Sequence, residues 1–535
     1  FDTQLEDAIS RIMAQLQSDS PTAYCDLPSD MKNYMSYIVS DILMGGDQVL
    51  MKSAVNTEDA TYIAWAKDET ISLKEYLEYA ISMNWVDVSG LDVNNSYMNS
   101  EAIYQVVVDY ISSKLTTDSK FHTMLYKYVI LNDVVTGREV CLLLYDQGIL
   151  EYDEETVGKL RSGAYSAYSF MMDKIKNLEI TPGQLALEPC SAGAVVTDPK
   201  TGKVLACVSY PGYDNNRLSN VMDTDYYVQL STGLSRTFYN RATQEKTAPG
   251  STYKMMSSVA GLTEGVIGGG TYLPCTGEFD KITPSPKCWI YPSAHGSLNV
   301  VGAIQHSCND FFYEVGYRLG QDENGNYDSS VGLEKLEKYA SMFGLDETSG
   351  VEIPESDPQI SDTDAVRSAI GQGTNNYTVS QLNRYVTAVA NRGTVYKLSL
   401  VGKTTDADGK LIKEYEPEVV NQMDEVSSST WDLVHNGMES MVKNSSVFSK
   451  MEIAMGGKTG TAQQSKVHPD HVLFAGYAPA DDPQIAITVR IANGYSSNYA
   501  AEIGRDITKV YFDANAAKDL ITGKASSLGK AGSGD

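Results

Sequence analysis

Ala248-Pro249-Gly250-Ser251-Thr252-Tyr253-Lys254 decides the reading of this chain. Pro249-Gly250 breaks the backbone just ahead of an apolar stripe, Met255, Val259 and Leu262, and Gly265 suits the far end of a helix. Residues three apart share a helix face, so Ser251 and Lys254 are expected one turn from each other. A serine hydroxyl is a weak nucleophile and needs a base within hydrogen-bond reach. Lys254 can serve only if burial and positive neighbours favour its neutral amine. At the helix start, free N–H groups and the dipole would support negative charge on Ser251.

Two further words complete a pattern. Ser307-Cys308-Asn309 supplies a hydroxyl that could relay a proton and an amide that could hold a substrate amide. Lys458-Thr459-Gly460-Thr461 supplies a fixed cation and two hydroxyls for a substrate carboxylate. Gly456, Gly457 and Gly460 suit a strand along which a substrate backbone lies closely. Each word alone is common on solvated helices or loops. All three in this order form a specific signal for acyl transfer through serine.

From about Ser191 to Ile521 the chain resembles the transpeptidase domain of class B penicillin-binding proteins. The three words carry the resemblance, with Ala194 to Gly202, Asn240-Arg241-Ala242-Thr243, Ile370-Gly371-Gln372-Gly373 and Thr378 to Leu382 around them. Cys288-Trp289, His295-Gly296 and Ser307-Cys308-Asn309 resemble the elongation type, penicillin-binding protein 2. The resemblance implies a D,D-transpeptidase that cross-links peptidoglycan stem peptides and is acylated by β-lactam antibiotics. Ser251, Lys254, Ser307, Asn309 and Lys458 would be catalytic, and Thr459, Gly460 and Thr461 would bind substrate. It also implies work with a membrane glycosyltransferase of the elongation machinery. The location implied is the outer face of the cytoplasmic membrane, with an N-terminal helical anchor that this sequence does not include.

The expected fold is α+β: an antiparallel sheet flanked by helices, after a mainly helical N-terminal region. Gly457 to Gln463, His471 to Ala478 and Gln484 to Ala492 read as consecutive antiparallel strands, with alternation at Ile485, Ile487, Val489 and Ile491. Ser251 to Gly393 reads as helices and loops, and Asn498 to Leu520 as one closing helix. Residues 1–185 are expected to form a non-catalytic pedestal, 186–525 the transpeptidase domain and 526–535 a polar tail. In the pedestal, Ser72 to Glu75 is a capping box, followed by Leu73, Leu77, Ile81 and Trp85 on one face. Ile103, Val107, Tyr110 and Ile111 give a second stripe, and a third helix is expected from Glu154 to Leu178. Packing against other helices is the first expectation for these faces.

The 535 residues suffice for two or three domains, and the net charge of −27 speaks against nucleic-acid binding. No apolar run reaches the roughly 18 residues that a membrane span needs.

Seven cysteines leave at least one thiol unpaired within the chain. Cys275, Cys288, His295 and Cys308, spaced 13, 7 and 13 residues apart, offer the thiolate and imidazole ligands that structural zinc takes. No cofactor is expected for catalysis itself. A Cys275–Cys288 disulfide or three free thiols are the alternatives. His306 is the rival histidine. His468-Pro469-Asp470-His471 reads as a solvated turn, and His122 and His435 as packing or surface residues.

Three other functions share these words. A serine β-lactamase must also deacylate, often with a loop glutamate that activates water, but Gln381-Leu382-Asn383 has glutamine where a class A enzyme would show it. A β-lactam sensor is usually smaller and lacks a pedestal. An inactive scaffold is at odds with three intact words.

Overall fold

The computed structural model describes residues 2–91, 98–185, 191–464 and 468–525. The chain divides into two compact units, Phe1–Asp173 and Lys174–Asp535. The segment 186–190 and the tail from 526, expected as linker and polar tail, lie outside the described residues.

Alternation drives the sheet of the second unit. Its strands are β1 (Ala192–Thr197), β2 (Val204–Tyr210), β3 (Gly456–Ala462), β4 (His471–Ala478) and β5 (Ile485–Ile491), in the spatial order β2-β1-β5-β4-β3. The ladders beside β1 and from β5 to β3 are antiparallel. Ile485, Ile487 and Val489 share one core with Val472, Phe474, Ala500 and Ala501. On the opposite side Asn383 donates to Val195 O, Ala486 O and Thr488 Oγ1. Every residue of its helix, Val379–Ala390, is buried. The central strands are thus packed on both faces, while among the described residues β3 forms a free edge of the sheet. Thr378 and Gln381 form the capping box that starts the Val379–Ala390 helix.

The first unit is helical, from Asp2–Gln17 to Ala167–Lys176, and includes a π-helical turn at Ile38–Leu43. Ser72 and Glu75 cap Leu73–Ser82 reciprocally, and Leu73, Leu77, Ile81 and Trp85 are all buried. Val107 and Ile111 are buried, while Ile103 and Tyr110 are half-buried.

Three expectations need correction. The helix read from Glu154 to Leu178 is two, Glu154–Ser162 and Ala167–Lys176, because Gly163 at φ +79° ends the first in a left-handed cap. The closing helix runs Ser497–Phe512 and resumes only at Ala516–Leu520, because Asp513 turns back to accept from Asn515 N at 2.9 Å. The stretch from Ser251 to Gly393 is mostly helices and loops, but Leu273–Cys275 pairs with Gly296–Leu298 in a short antiparallel ladder.

Candidate active site and thiol–imidazole cluster

The serine word begins as a 3-10 turn, Gly250–Tyr253, and continues as the helix α1 (Lys254–Thr263). Gly250 has φ +51°, and a Cβ there would lie 2.2 Å from Thr461 O. A Cβ on Gly460 would stand 2.9 Å from Thr252 Cγ2. Glycine at both positions lets the serine turn and β3 touch backbone to backbone. Other partners fix the turn from behind. Gly250 N donates to Gly371 O at 3.1 Å. Tyr385 bridges the turn and α1, giving its hydroxyl proton to Thr252 O and accepting from Met256 N.

The three words converge on one hydroxyl. Ser307 Oγ donates to Ser251 Oγ at 2.9 Å and accepts from Lys458 Nζ at 2.9 Å and Lys254 Nζ at 3.2 Å. Lys254 Nζ also donates to Ser307 O at 2.8 Å and Asn309 Oδ1 at 2.6 Å. Lys458 Nζ donates in addition to Thr459 O. Both lysines have 0% exposure, and both serines are buried. Ser307 has φ +53°, a left-handed conformation that turns its side chain between the two ammonium groups. Asn309 opens the helix α2 (Asn309–Leu319). Thr459 and Thr461 are half-buried along the free edge of the sheet.

The structure also brings together Cys275, Cys288, His295 and Cys308, whose ligand atoms all lie within 4.8 Å of one another. His295 Nδ1 is 3.4 Å from Cys275 Sγ and 3.7 Å from Cys288 Sγ. Zinc bonds of about 2.3 Å to sulfur and about 2.0 Å to nitrogen in a tetrahedron give S···N edges of about 3.6 Å. The donor set and its spacing therefore fit such an ion. None of the six described cysteines is paired in a disulfide. A hydrogen bond from the Cys308 thiol holds Cys288 far below the ordinary thiol range, at about 4, while burial pushes Cys275 up to about 11. Asn309 N donates to Cys288 Sγ at 3.3 Å, so the cluster also fixes the start of α2. His306 stands outside the group, its ring 5.9 Å from that of His295.

His471 is not in a solvated turn. It opens β4 half-buried, and its Nδ1 accepts from Arg490 Nη2 at 3.1 Å. His435 is buried and hydrogen-bonded to Val389 O, and His122 is half-buried, its Nε2 3.2 Å from Thr116 O. Gln381 offers no base to water: its Oε1 accepts from Thr378 N and its Nε2 donates to Ser356 O.

Sequence reasoning missed Tyr385, whose contacts lie about 130 residues away in sequence, and gave Trp289 no role. Trp289 Nε1 donates to His306 O, next to Ser307, while 42% of the residue stays exposed. The indole followed from no spacing rule. Its place beside Cys288 was the one available signal.

A family profile described as penicillin binding protein transpeptidase domain matches residues 192–509. Peptidoglycan D,D-transpeptidase MrdA of Haemophilus influenzae is 28% identical over 375 residues, 61% of this chain and 54% of the relative. Its Escherichia coli K12 counterpart is 28% identical over 364 residues, 59% of this chain and 53% of the relative. The chain thus spans about half the length of these curated relatives. A crystal structure of Pseudomonas aeruginosa PBP2 in complex with WCK 5153 superposes with a TM-score of 0.52 at 26% identity, covering 62% of this chain and 75% of that one. No helix of the described residues is long and apolar enough to cross a membrane. With more than half its length matched by the family profile and the three words meeting at one hydroxyl, this chain belongs to the penicillin-binding protein transpeptidase family, on the class B branch of the PBP2 type.

Proposed function

We propose that this protein is a peptidoglycan D,D-transpeptidase of the elongation type. The observation that carries the reading is Ser307 Oγ held between Ser251 Oγ and both lysine ammonium groups. Ser251 Oγ attacks the carbonyl of the penultimate D-alanine, and its proton passes towards Lys254, directly or through Ser307. Lys254 is fully buried and shares Ser307 with Lys458, which supports that role. As the tetrahedral intermediate collapses, the C–N bond breaks and Ser307 returns the proton to the leaving D-alanine amine. The amine of a second stem peptide then attacks the ester, a new amide forms, and Ser251 recovers its hydroxyl. Asn309 holds a substrate amide, while Thr459 and Thr461 receive the carboxylate beside Lys458. The free edge of β3 suits a substrate backbone lying alongside it. A β-lactam acylates the same oxygen by ring opening, and with no separate leaving group the adduct persists.

Intact-protein mass followed over hours with penicillin tests this. The expected result is one lasting adduct, absent in Ser251→Ala. A transient adduct with drug consumption would point to a lactamase, and no adduct would reject acyl transfer.

We also infer that Cys275, Cys288, His295 and Cys308 hold a structural zinc ion, which would fix the loop that carries Ser307 and Asn309. The expected result of chelation is a lower melting temperature and slower acylation, with Cys308→Ser losing zinc and stability together. Stability and acylation that survive complete removal of metal would sink this idea. On the family resemblance we further propose a partner membrane glycosyltransferase, action outside the cytoplasmic membrane and a membrane anchor for the full-length protein. The N-terminal helical unit would act as its pedestal.

A further inference from the structure

Behind the wall formed by β3 and the serine turn lies a charged group that acyl transfer does not use. Glu245 sits on the segment leading into Ser251. Its carboxylate meets Arg241 Nη1 at 3.1 Å and Arg490 Nη1 at 2.6 Å. Arg490, on β5, is only 1% exposed, and Arg241 is buried as well. Arg490 Nη2 donates to His471 Nδ1, which also accepts from Asn493 N at 3.3 Å. His471 stands opposite Ala462, the last residue of β3. On the other side, Thr247 exchanges two backbone hydrogen bonds of 2.9 Å with Tyr377, and Gln464 Nε2 donates to Thr247 Oγ1 at 3.1 Å. A continuous path therefore runs from the end of β3 through His471, Arg490 and Glu245 to the segment that delivers Ser251.

This group is poorly suited to stabilising the fold. Burying ions costs several kcal/mol each, and apolar residues of similar size often do as well or better. Several of its atoms lack an aligned hydrogen bond among the described residues, including Arg241 Nε, Arg490 Nε and the two atoms of the 2.6 Å contact, which meet off-axis. Burial would raise the carboxyl of Glu245, but the two guanidinium charges outweigh it and hold the group below its ordinary value, ionised. A costly, fully charged pair sits directly behind the junction that acylation depends on.

We propose that Glu245 and Arg490 are positioning residues, whose ion pair sets the serine turn against β3 for acylation. The inference rests on the acyl-transfer reading above. The test is the double variant Glu245→Met with Arg490→Met, which removes both charges and keeps the volume filled. Stopped-flow acylation by a chromogenic cephalosporin separates non-covalent binding from the acylation step. The expected result is a lower melting temperature, because buried Arg241 loses its carboxylate partner, with unchanged initial binding by the folded protein and an acylation constant lower by about tenfold or more, as small misplacements of reacting groups produce. Equal acylation in the double variant and the wild type overturns the proposal, as does a loss confined to binding. If the double variant does not fold, Glu245→Gln and Glu245→Asp decide. Gln is expected to slow acylation and Asp, which keeps the charge, to restore part of it, whereas equal rates in all three chains overturn the proposal. Failure of the wild type itself to form an adduct overturns the acyl-transfer reading and this one with it.

Discussion

Ser307 holds a left-handed backbone that costs a non-glycine residue about 1–2 kcal/mol. Four hydrogen bonds to its hydroxyl and carbonyl offset that cost, three of them from the two buried lysines. Ser307→Ala should therefore slow acylation by about a hundredfold or more, the scale of a lost proton-transfer group, and lower the unfolding midpoint, since two buried ammonium groups lose an acceptor. Mass spectrometry and urea titration on the same sample check both parts. His471 gives a pH prediction. Burial first, and the charge of Arg490 second, lower it from 6.5 to about 4, against an opposing pull from Glu245. The folded chain thus keeps it neutral where the unfolded chain takes up a proton. That stability is complete above pH 6.5 and is lost as pH falls towards 4. His471→Asn should flatten the pH dependence of urea unfolding over this window. The three words that meet at Ser307 were legible because their spacing is local or their order is diagnostic. Glu245 and Arg490 were not, since only the fold makes them neighbours.

At the level of elements, the junction of the serine turn with β3 depends on Gly250. Alanine there must keep a positive φ and push its Cβ against the Thr461 carbonyl. Gly250→Ala should destabilise by more than about 2 kcal/mol and abolish rapid acylation, measured by urea unfolding and by penicillin labelling. A stable, fully active alanine variant would mean that the close approach is not needed. The long strands could be read because β5 alternates clearly between two cores. The pair Leu273–Cys275 and Gly296–Leu298 could not, because three residues are too few to show a period. The breaks at Gly163 and at Asp513 were hidden by apolar patterns that continue on both sides of them. Cys275, Cys288, Cys308 and His295 were visible, but only the fold, with the ladder that pairs Cys275 with Gly296, explains how wide spacings close into one cluster.

For the whole molecule, the two units each have their own apolar core, one around Tyr34, Tyr76 and Phe121 and the other around α1 and the sheet. We expect residues 174–535, expressed alone, to fold cooperatively and acylate at a rate within about threefold of the complete chain, since the unit carries its own core and every active-site word. Circular dichroism and the penicillin mass shift test this. A net charge of −27 is a property of the surface as a whole and was fully legible. It predicts no retention on duplex DNA in a binding assay near physiological salt. The arrangement of the four tryptophans has a practical consequence. Trp65, Trp85 and Trp431 are buried, far in sequence from the catalytic words, whereas Trp289 faces solvent and is tied by its N–H to the residue before Ser307. Light emitted by a solvent-facing indole shifts when its surroundings change. The protein thus carries one native optical reporter tied to the residue before Ser307, against a background of three buried ones. Addition of a penicillin, or of a chelator against the proposed zinc site, should each shift its emission, without attaching a dye.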